Sequence, residues 1–420
     1  MQRTQDWFEA ARFGLFVHWG HYARAGWEAS WPLVGGAATL PLGQDIPAAT
    51  YHANAAGWLP DMGAPERWVA AAAAAGMGYA VLTTRHHDGY ALWPSRFGDH
   101  GVAATAPGTD IVGAFAAACR RHGLKLGFYY SLPDWHHPSY PAFSDSDRPY
   151  RFGAYPPASP AQWADYGVYL RGQLGELLGN YGTVDIIWFD GAWERTPEQW
   201  DTNGLERLIR TLQPGILIND RLPGHGDYAT PEQFVPAQPP ADPWETCLTM
   251  NMSWGYNASD DRYKSAAALV HTLCEVAGRG GNLLLNIGPD GDGALPAPQA
   301  ARLAEIARWM ALHREAIVGT SAGVQAWQFH GPTTRRGNFL YCHLLMQPVA
   351  PVSVRGVMVR HLKRVTALGS GIDLAFETRI PVLDELMHVD GPGEVLIDVP
   401  DAARDPVATV LRLEFDGPVA

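Results

Sequence analysis

Cysteine is scarce in this chain. Only four occur in 420 residues, and Cys119, Cys247, Cys274 and Cys342 form no CxxC pair. Their spacing fits neither a disulfide framework nor a zinc site. Long apolar runs are also missing. No stretch of about 18 apolar residues occurs, so no segment reads as a membrane-spanning helix. Met1–Phe8 lacks a basic region followed by an apolar one, so no signal peptide is expected. A reduced cytoplasm is the expected compartment, with a secreted or periplasmic one only if a leader has been trimmed. Positive charge is in deficit, with 31 Lys and Arg against 43 Asp and Glu, for a net charge of −12. That argues against nucleic acid and membrane surfaces as partners and favours a neutral substrate. Tryptophan, by contrast, is plentiful at 16 residues. Most should be core, but flat apolar faces also suit the C–H faces of sugar rings.

The length fits a large catalytic domain and a smaller one. Apolar runs recur at Phe13–Trp19, Tyr79–Thr84, Lys125–Ser131, Val184–Asp190, Ile216–Asn219, Thr246–Asn251 and Leu283–Ile287. Most are apolar on both faces, as parallel strands covered on both sides are. Helical patterns lie between them at Pro65–Ala75, Asp110–His122, Pro160–Tyr181, Pro197–Leu212, Asp260–Ala277 and Pro298–Ala316, with Thr109 as the N-cap of the second. Strand then helix, repeated about seven times, predicts a (β/α)8-like barrel, imperfect in its closure. A doubly wound open sheet is the alternative, weakened by the absence of GxGxxG after the first strand. After residue 320 short strands follow with no helix between them, at Asn338–Leu345, Val352–Val357, Leu362–Ala367, Asp373–Glu377, Glu394–Asp398 and Val410–Phe415. The expected division is a barrel over 1–320 and a C-terminal β-sandwich over 321–420. The long aromatic, Pro-rich loop from Pro133 to Pro160 is expected to shape a site.

Barrel sites lie at the C-terminal ends of the strands. The runs end in His18-Trp19-Gly20, Arg85-His86-His87-Asp88, Tyr129-Tyr130-Ser131, Asp190-Gly191, Asn219-Asp220-Arg221 and Asn251, with Trp254 close behind the last. Converging, these make a pocket rich in His, Trp, Tyr and carboxylate, suited to a neutral polyol. Asp190 is the sharpest residue. A carboxylate ending Val-Asp-Ile-Ile-Trp-Phe is costly unless paired or used. It reads either as a cap of the next turn or as a nucleophile at an anomeric carbon. His86 and His87 read as metal ligands only weakly, since neighbours on a strand point to opposite sides. His136-His137 has the same alternative beside plain loop packing. Gly278-Arg279-Gly280-Gly281 suggests a phosphate loop or a turn into the next strand, and the turn is favoured for want of a following Lys-Ser/Thr.

On these residues the sequence resembles the α-L-fucosidases of glycoside hydrolase family 29. The resemblance is carried by Phe13–Gly20, Tyr79–Tyr90, Leu126–Ser131, Asp134-Trp135-His136, Trp188–Gly191, Asn219-Asp220-Arg221, Trp244–Cys247, Ser253–Tyr256 and Asn282–Pro289. It implies a barrel with a C-terminal β-sandwich and a retaining double displacement on terminal α-L-fucose in glycans or small fucosides. It implies Asp190 as nucleophile, His18, His86, His87 and Tyr130 as holders of the sugar hydroxyls, and Arg221 as a charge near the nucleophile. Trp254 is expected against the C5-methyl side. Glu232 is the expected acid/base, with Glu245 as the alternative. In the first strand's loop, Trp31 keeps a Trp found in relatives, but Ser30 stands where Glu is usual, and Glu28 is the candidate substitute. No cofactor or metal is required by the implied mechanism. A related retaining exo-glycosidase, such as an α-L-galactosidase, and an inactive fucose-binding homologue are the other readings. The natural linkage, the oligomeric state (a homo-oligomer among the options) and the role of the C-terminal domain stay open.

Overall fold

The computed structural model describes residues 2–35, 44–150, 156–241 and 243–417. Residues 151–155 of the expected site-shaping loop lie outside the described residues. Seven parallel strands form one curled sheet: β1 (Phe13–Val17), β2 (Tyr79–Arg85), β3 (Lys125–Ser131), β4 (Ile186–Asp190), β5 (Leu217–Ile218), β6 (Glu245–Thr249) and β7 (Asn282–Ile287). Their order is β5-β4-β3-β2-β1-β7-β6. The sheet is thus ordered as a barrel with one seam, between β5 and β6. Isolated bridges Asn219↔Tyr228, Ala229↔Trp244 and Glu232↔Cys247 span that seam with irregular chain in place of an eighth strand. This is the imperfect barrel that the sequence predicts.

The continuous apolar runs have a simple cause. One parity of each strand fills the barrel interior, where Phe16, Tyr79, Val81, Tyr129, Ile186, Trp188, Leu217, Cys247 and Leu284 pack together with Phe8. The other parity, including Leu15, Leu82, Phe128, Ile187, Ile218 and Leu285, packs in the layer shared with the helices. Both faces are therefore dry, and alternation disappears from the sequence.

The helices differ from expectation mainly at their ends. Ile111–His122 is capped by Asp110, whose side chain accepts from the Gly113 N–H, rather than by Thr109. Ser265 caps Ala266–Gly278, so that helix starts later than Asp260. The pattern over 197–212 is two helices, Pro197–Trp200 and Thr202–Leu212, broken at Asp201 with φ 51°. The C-terminal part has a second core of its own, drawn from Phe329 to Phe415, between a six-stranded and a three-stranded sheet. Two short strands, Ser321–Ala322 and Thr333–Arg336, join the larger sheet ahead of those expected. Contrary to expectation, a helix does intervene there, at Val382–Leu386. All four cysteines are free and buried, and no helix among the described residues is long and apolar enough to cross a membrane.

Gly14 shows how tightly the interior is filled. A Cβ there would stand 2.3 Å from the Tyr79 ring, and that ring is wedged against Trp7 and Phe8. At Gly179, in the helix Pro160–Asn180, an added Cβ meets nothing within 4 Å. The same substitution should therefore act with opposite signs. Gly14→Ala is expected to lose about 1–3 kcal/mol by overpacking, and Gly179→Ala to gain about 0.5–1 kcal/mol in helix propensity. Urea unfolding of the two variants checks this.

Candidate active site

The candidate site residues gather at the C-terminal ends of the strands. Asp190 ends β4 and is 7% exposed. Its Oδ1 accepts from Arg221 Nη1 at 2.9 Å, and its Oδ2 accepts from the Tyr129 hydroxyl at 3.0 Å. His87 Nε2 lies 3.5 Å from the same Oδ2. Burial would raise this carboxyl, but Arg221, His87 and Tyr129 together outweigh it and hold Asp190 below the usual carboxylate range.

Arg221 is the hub. Its guanidinium lies over the Trp188 ring, 4.5 Å from the centroid, and its Nη2 donates to Glu232 Oε2 at 2.7 Å. One planar group thus bridges the two carboxylates, a fork-like geometry that lysine would not supply. Glu232 sits on the irregular chain across the β5–β6 seam, and its side chain is 39% exposed.

Glu245, the other acid/base candidate, is elsewhere. It is fully buried at the start of β6. Its two oxygens accept from the Tyr79 hydroxyl and from Trp188 Nε1. Burial pushes its carboxyl up to about 7. It supports Trp188 from inside the barrel and is sealed from solvent, whereas Glu232 stands partly open to it.

His18, His86 and His87 gather beside Asp190, each oriented by a partner. His18 Nδ1 lies 2.6 Å from Asn286 Oδ1. Asn286 Nδ2 donates to the Trp254 carbonyl at 2.7 Å, so its Oδ1 is the accepting atom and His18 Nδ1 carries the proton. His18 Nε2 is left as an acceptor. His87 Nδ1 pairs with Ser131 Oγ at 2.8 Å, and His86 Nδ1 pairs with Ser30 Oγ. Burial lowers His18 and His87 to about 4 and lowers His86 as well, so all three are neutral.

The expectation that His86 and His87 point apart fails. The pairing of β2 with β3 shifts between Thr83 and Arg85, Arg85 turns out to Asp134 and Tyr169, and the two following rings meet with centroids 4.4 Å apart. Trp31 packs against both, at 6.1 and 5.4 Å. Trp254 faces His18 at 5.1 Å and Phe16 at 5.9 Å, forming the opposite wall.

Tyr130 is a correction. Its side chain is completely buried. Its hydroxyl donates to Gln173 at 2.9 Å, and its ring lies under the Arg85 guanidinium at 4.1 Å. It therefore belongs to the layer outside the sheet. Tyr129 is the pocket residue, and strand parity could have found it, because Tyr129 pairs in register with Trp188 and Ser131 with Asp190. Glu28 is a second correction. Its oxygens accept from the backbone N–H groups of Trp254 and Gly255, at 2.6 and 2.9 Å. It anchors the Trp254 loop and is not free to take over a sugar contact. Ser30 orients His86 and accepts from the Asp88 N–H at 2.9 Å. Asn286 was not singled out in the sequence, and the parts that Ser131 and Ser30 play in orienting His87 and His86 could not be read there, since all three depend on long-range partners.

A parallel barrel in which one arginine bridges a strand-end carboxylate and a second carboxylate on the seam, beside a group of neutral imidazoles, has the parts of a glycoside hydrolase. The comparisons narrow this further. A model of the α-L-fucosidase family matches residues 1–315. The tissue α-L-fucosidase of Mus musculus is 30% identical over 440 residues, covering 98% of this chain and 90% of its own length. α-L-Fucosidase isoenzyme 1 of Paenibacillus thiaminolyticus superimposes with a TM-score of 0.85 at 34% identity, covering 99% of both chains. The Thermotoga maritima α-fucosidase, solved with a mechanism-based inhibitor, gives a TM-score of 0.76 at 27% identity, covering 97% and 96%. The chain belongs to the α-L-fucosidase family.

The exchange of Tyr130 for Tyr129 has a direct test. Tyr129→Phe removes a hydrogen bond to Asp190 and should lower kcat/KM by about tenfold. Tyr130→Phe should leave turnover within about twofold and cost about 1 kcal/mol of stability through the lost bond to Gln173. Steady-state rates and thermal unfolding of both variants decide it. The reverse pattern would restore Tyr130 to the pocket.

Proposed function

We propose that this protein hydrolyses terminal α-L-fucosides by double displacement with retention, with Asp190 as nucleophile and Glu232 as acid/base. The observation that carries this reading is the bridge from Asp190 through Arg221 to Glu232. Both carboxylates touch one guanidinium, at 2.9 and 2.7 Å, which keeps them close together, as a retaining pair at roughly 5–5.5 Å requires. Asp190 is ionised and buried, as a nucleophile must be. It attacks the anomeric carbon while Glu232 gives a proton to the departing oxygen, leaving a fucosyl ester on Asp190. Glu232 then takes a proton from water, and the water oxygen attacks the same carbon from the opposite side and frees Asp190. Two inversions give net retention. Glu232 must leave Arg221 to reach the leaving oxygen, and its half-exposed position on irregular chain allows this.

The walls fit fucose. The neutral imidazoles of His18, His86 and His87 offer hydrogen bonds to ring hydroxyls without demanding a countercharge, and Trp254 offers an apolar face to the C5 methyl group. The substrate is a fucosylated glycan or a small fucoside.

Two experiments test this. Asp190→Gly should lose about 10³- to 10⁵-fold in rate on 4-nitrophenyl α-L-fucoside. Added azide should restore part of that rate and yield the β-configured fucosyl azide. Undiminished hydrolysis by this variant would falsify the assignment. Glu232→Ala should lose far more on poor leaving groups than on activated aryl ones, and azide should give the α-configured product.

The charge on Arg221 sets a pH dependence. It lowers the Asp190 pKa, so Asp190 is ionised and active at every pH above that lowered value. Removing the charge raises the pKa. The acid limb of kcat/KM in Arg221→Met should move to higher pH, by about 1–3 units. An unmoved acid limb would show that the limb does not report Asp190.

A further inference from the structure

A second histidine cluster lies outside the sugar pocket. His52, on the helix Ala48–Ala53, His100, beside the Ala91↔Gly101 bridge, and His136, just after Trp135, converge from three separate segments. One ring nitrogen from each lies within 4.8 Å of those of the other two. His52 and His100 are half-buried and His136 is exposed. The rings of His100 and His136 stack at 3.9 Å, and His52 stands edge-on to both, at 5.1 and 4.5 Å.

Packing alone accounts poorly for this arrangement. His52 Nδ1 and His100 Nε2 are buried with no hydrogen-bond partner among the described residues, which is costly for a polar nitrogen. The carboxylate nearest in kind, Asp88, is engaged elsewhere: it accepts from the Tyr51 hydroxyl at 2.9 Å and lies 3.3 Å from His21 Nε2. Neutral imidazole is the form in which histidine binds a metal ion.

We propose that His52, His100 and His136 form a site for one late first-row divalent ion, with Zn²⁺ the natural occupant. Three imidazoles with no carboxylate select Zn²⁺, Co²⁺, Ni²⁺ or Cu²⁺ over Mg²⁺ or Ca²⁺. A tetrahedral ion with bonds of about 2.0–2.1 Å needs ligand nitrogens about 3.3 Å apart. The present limit of 4.8 Å asks for a closure of about 1.5 Å, which side-chain torsions of all three histidines would share on binding. The fourth position is open to water. The ion would tie the helix Ala48–Ala53 to the loop carrying Trp135, whose ring packs on His87 at 4.8 Å. Its role is to fasten the rear of the sugar pocket, and it takes no part in the glycosidic chemistry. Of the three, only His136, beside His137, carries a metal reading in the sequence, and nothing local joins it to His52 and His100, so the full set emerges from the fold.

The test uses the full chain without a histidine tag, stripped with chelator, and titrated calorimetrically with ZnCl₂. One equivalent should bind, and the thermal midpoint should rise with ion concentration. Co²⁺ should give the visible bands of a four- or five-coordinate ion, and MgCl₂ should do nothing. His136→Ala, whose exposed ring is not needed for folding, should weaken binding at least about tenfold and abolish the cobalt bands, and His52→Gln should do the same. No uptake by the wild-type chain, or uptake that survives in both variants, would overturn the site and mark the cluster as packing only. Neither outcome bears on Asp190 and Glu232.

Discussion

The ion pair between Arg221 and Asp190 is the interaction on which the pocket depends. Asp190 ends a strand whose other residues are apolar and dry, and a lone carboxylate there would take up a proton rather than stay charged. Arg221 supplies the countercharge at 2.9 Å. A guanidinium suits this place because it is weakly hydrated and can lie flat on an aromatic ring while using both edges. Trp188 provides the ring, and Glu245 holds Trp188 by its indole N–H. The chain of support therefore runs from the buried floor to the reacting carboxylate through named contacts. Because Arg221 also holds Glu232, a single side chain positions both members of the proposed catalytic pair before substrate enters.

The same constraint explains why the barrel is not closed by a regular strand. A carboxyl that serves first as acid and then as base must reach water and the leaving group. A strand residue facing the interior at that depth would be sealed, as Glu245 is. Across the β5–β6 seam the chain pairs only at single residues. Pro231 lacks an N–H for a ladder, and Gln233 takes a positive φ of 61°. Between them Glu232 is carried at the rim and stays half open to solvent. Irregularity here is the means by which one carboxyl escapes burial while its partner keeps it.

Much of this architecture is legible in the sequence because the sheet is covered on both faces. All seven apolar runs contain strands, and His18, His86, His87, Asp190 and Arg221 gather at their ends, while Arg85 and Tyr130 turn outward. What is hidden depends on which way a side chain turns. Leu-Gly-Phe-Tyr-Tyr-Ser is aromatic at both parities, so composition cannot separate the inward Tyr129 from the outward Tyr130; only the register with Trp188 and Asp190 does. The shift in pairing at Thr83–Arg85 turns His86 and His87 the same way against the alternation rule. Glu28 and Ser30 are harder still. Their partners lie 226 positions away at Trp254 and 56 away at His86, and no local pattern reports such contacts. Helix starts are misplaced where a nearby polar residue competes for the cap, as Thr109 does with Asp110.

Charge and neutrality are divided within the site by the same physical cause. Asp190 stays ionised in spite of burial because the Arg221 charge and the Tyr129 hydroxyl favour the anion. His18, His86 and His87 stay neutral because burial disfavours their cations and nothing nearby compensates enough. Had Asp190 instead drawn a proton onto His87, 3.5 Å away, the nucleophile would be tied up by an imidazolium and the pocket wall would carry charge against a neutral sugar. Burial prevents that, and hydrogen-bonded partners then fix each ring in orientation, down to the tautomer for His18 beside Asn286. A pocket lined with neutral rings of fixed polarity distinguishes hydroxyl directions on the sugar. The charged pair beside it, bridged by one arginine, is left to distinguish the ground state from the cationic transition state of glycosidic cleavage.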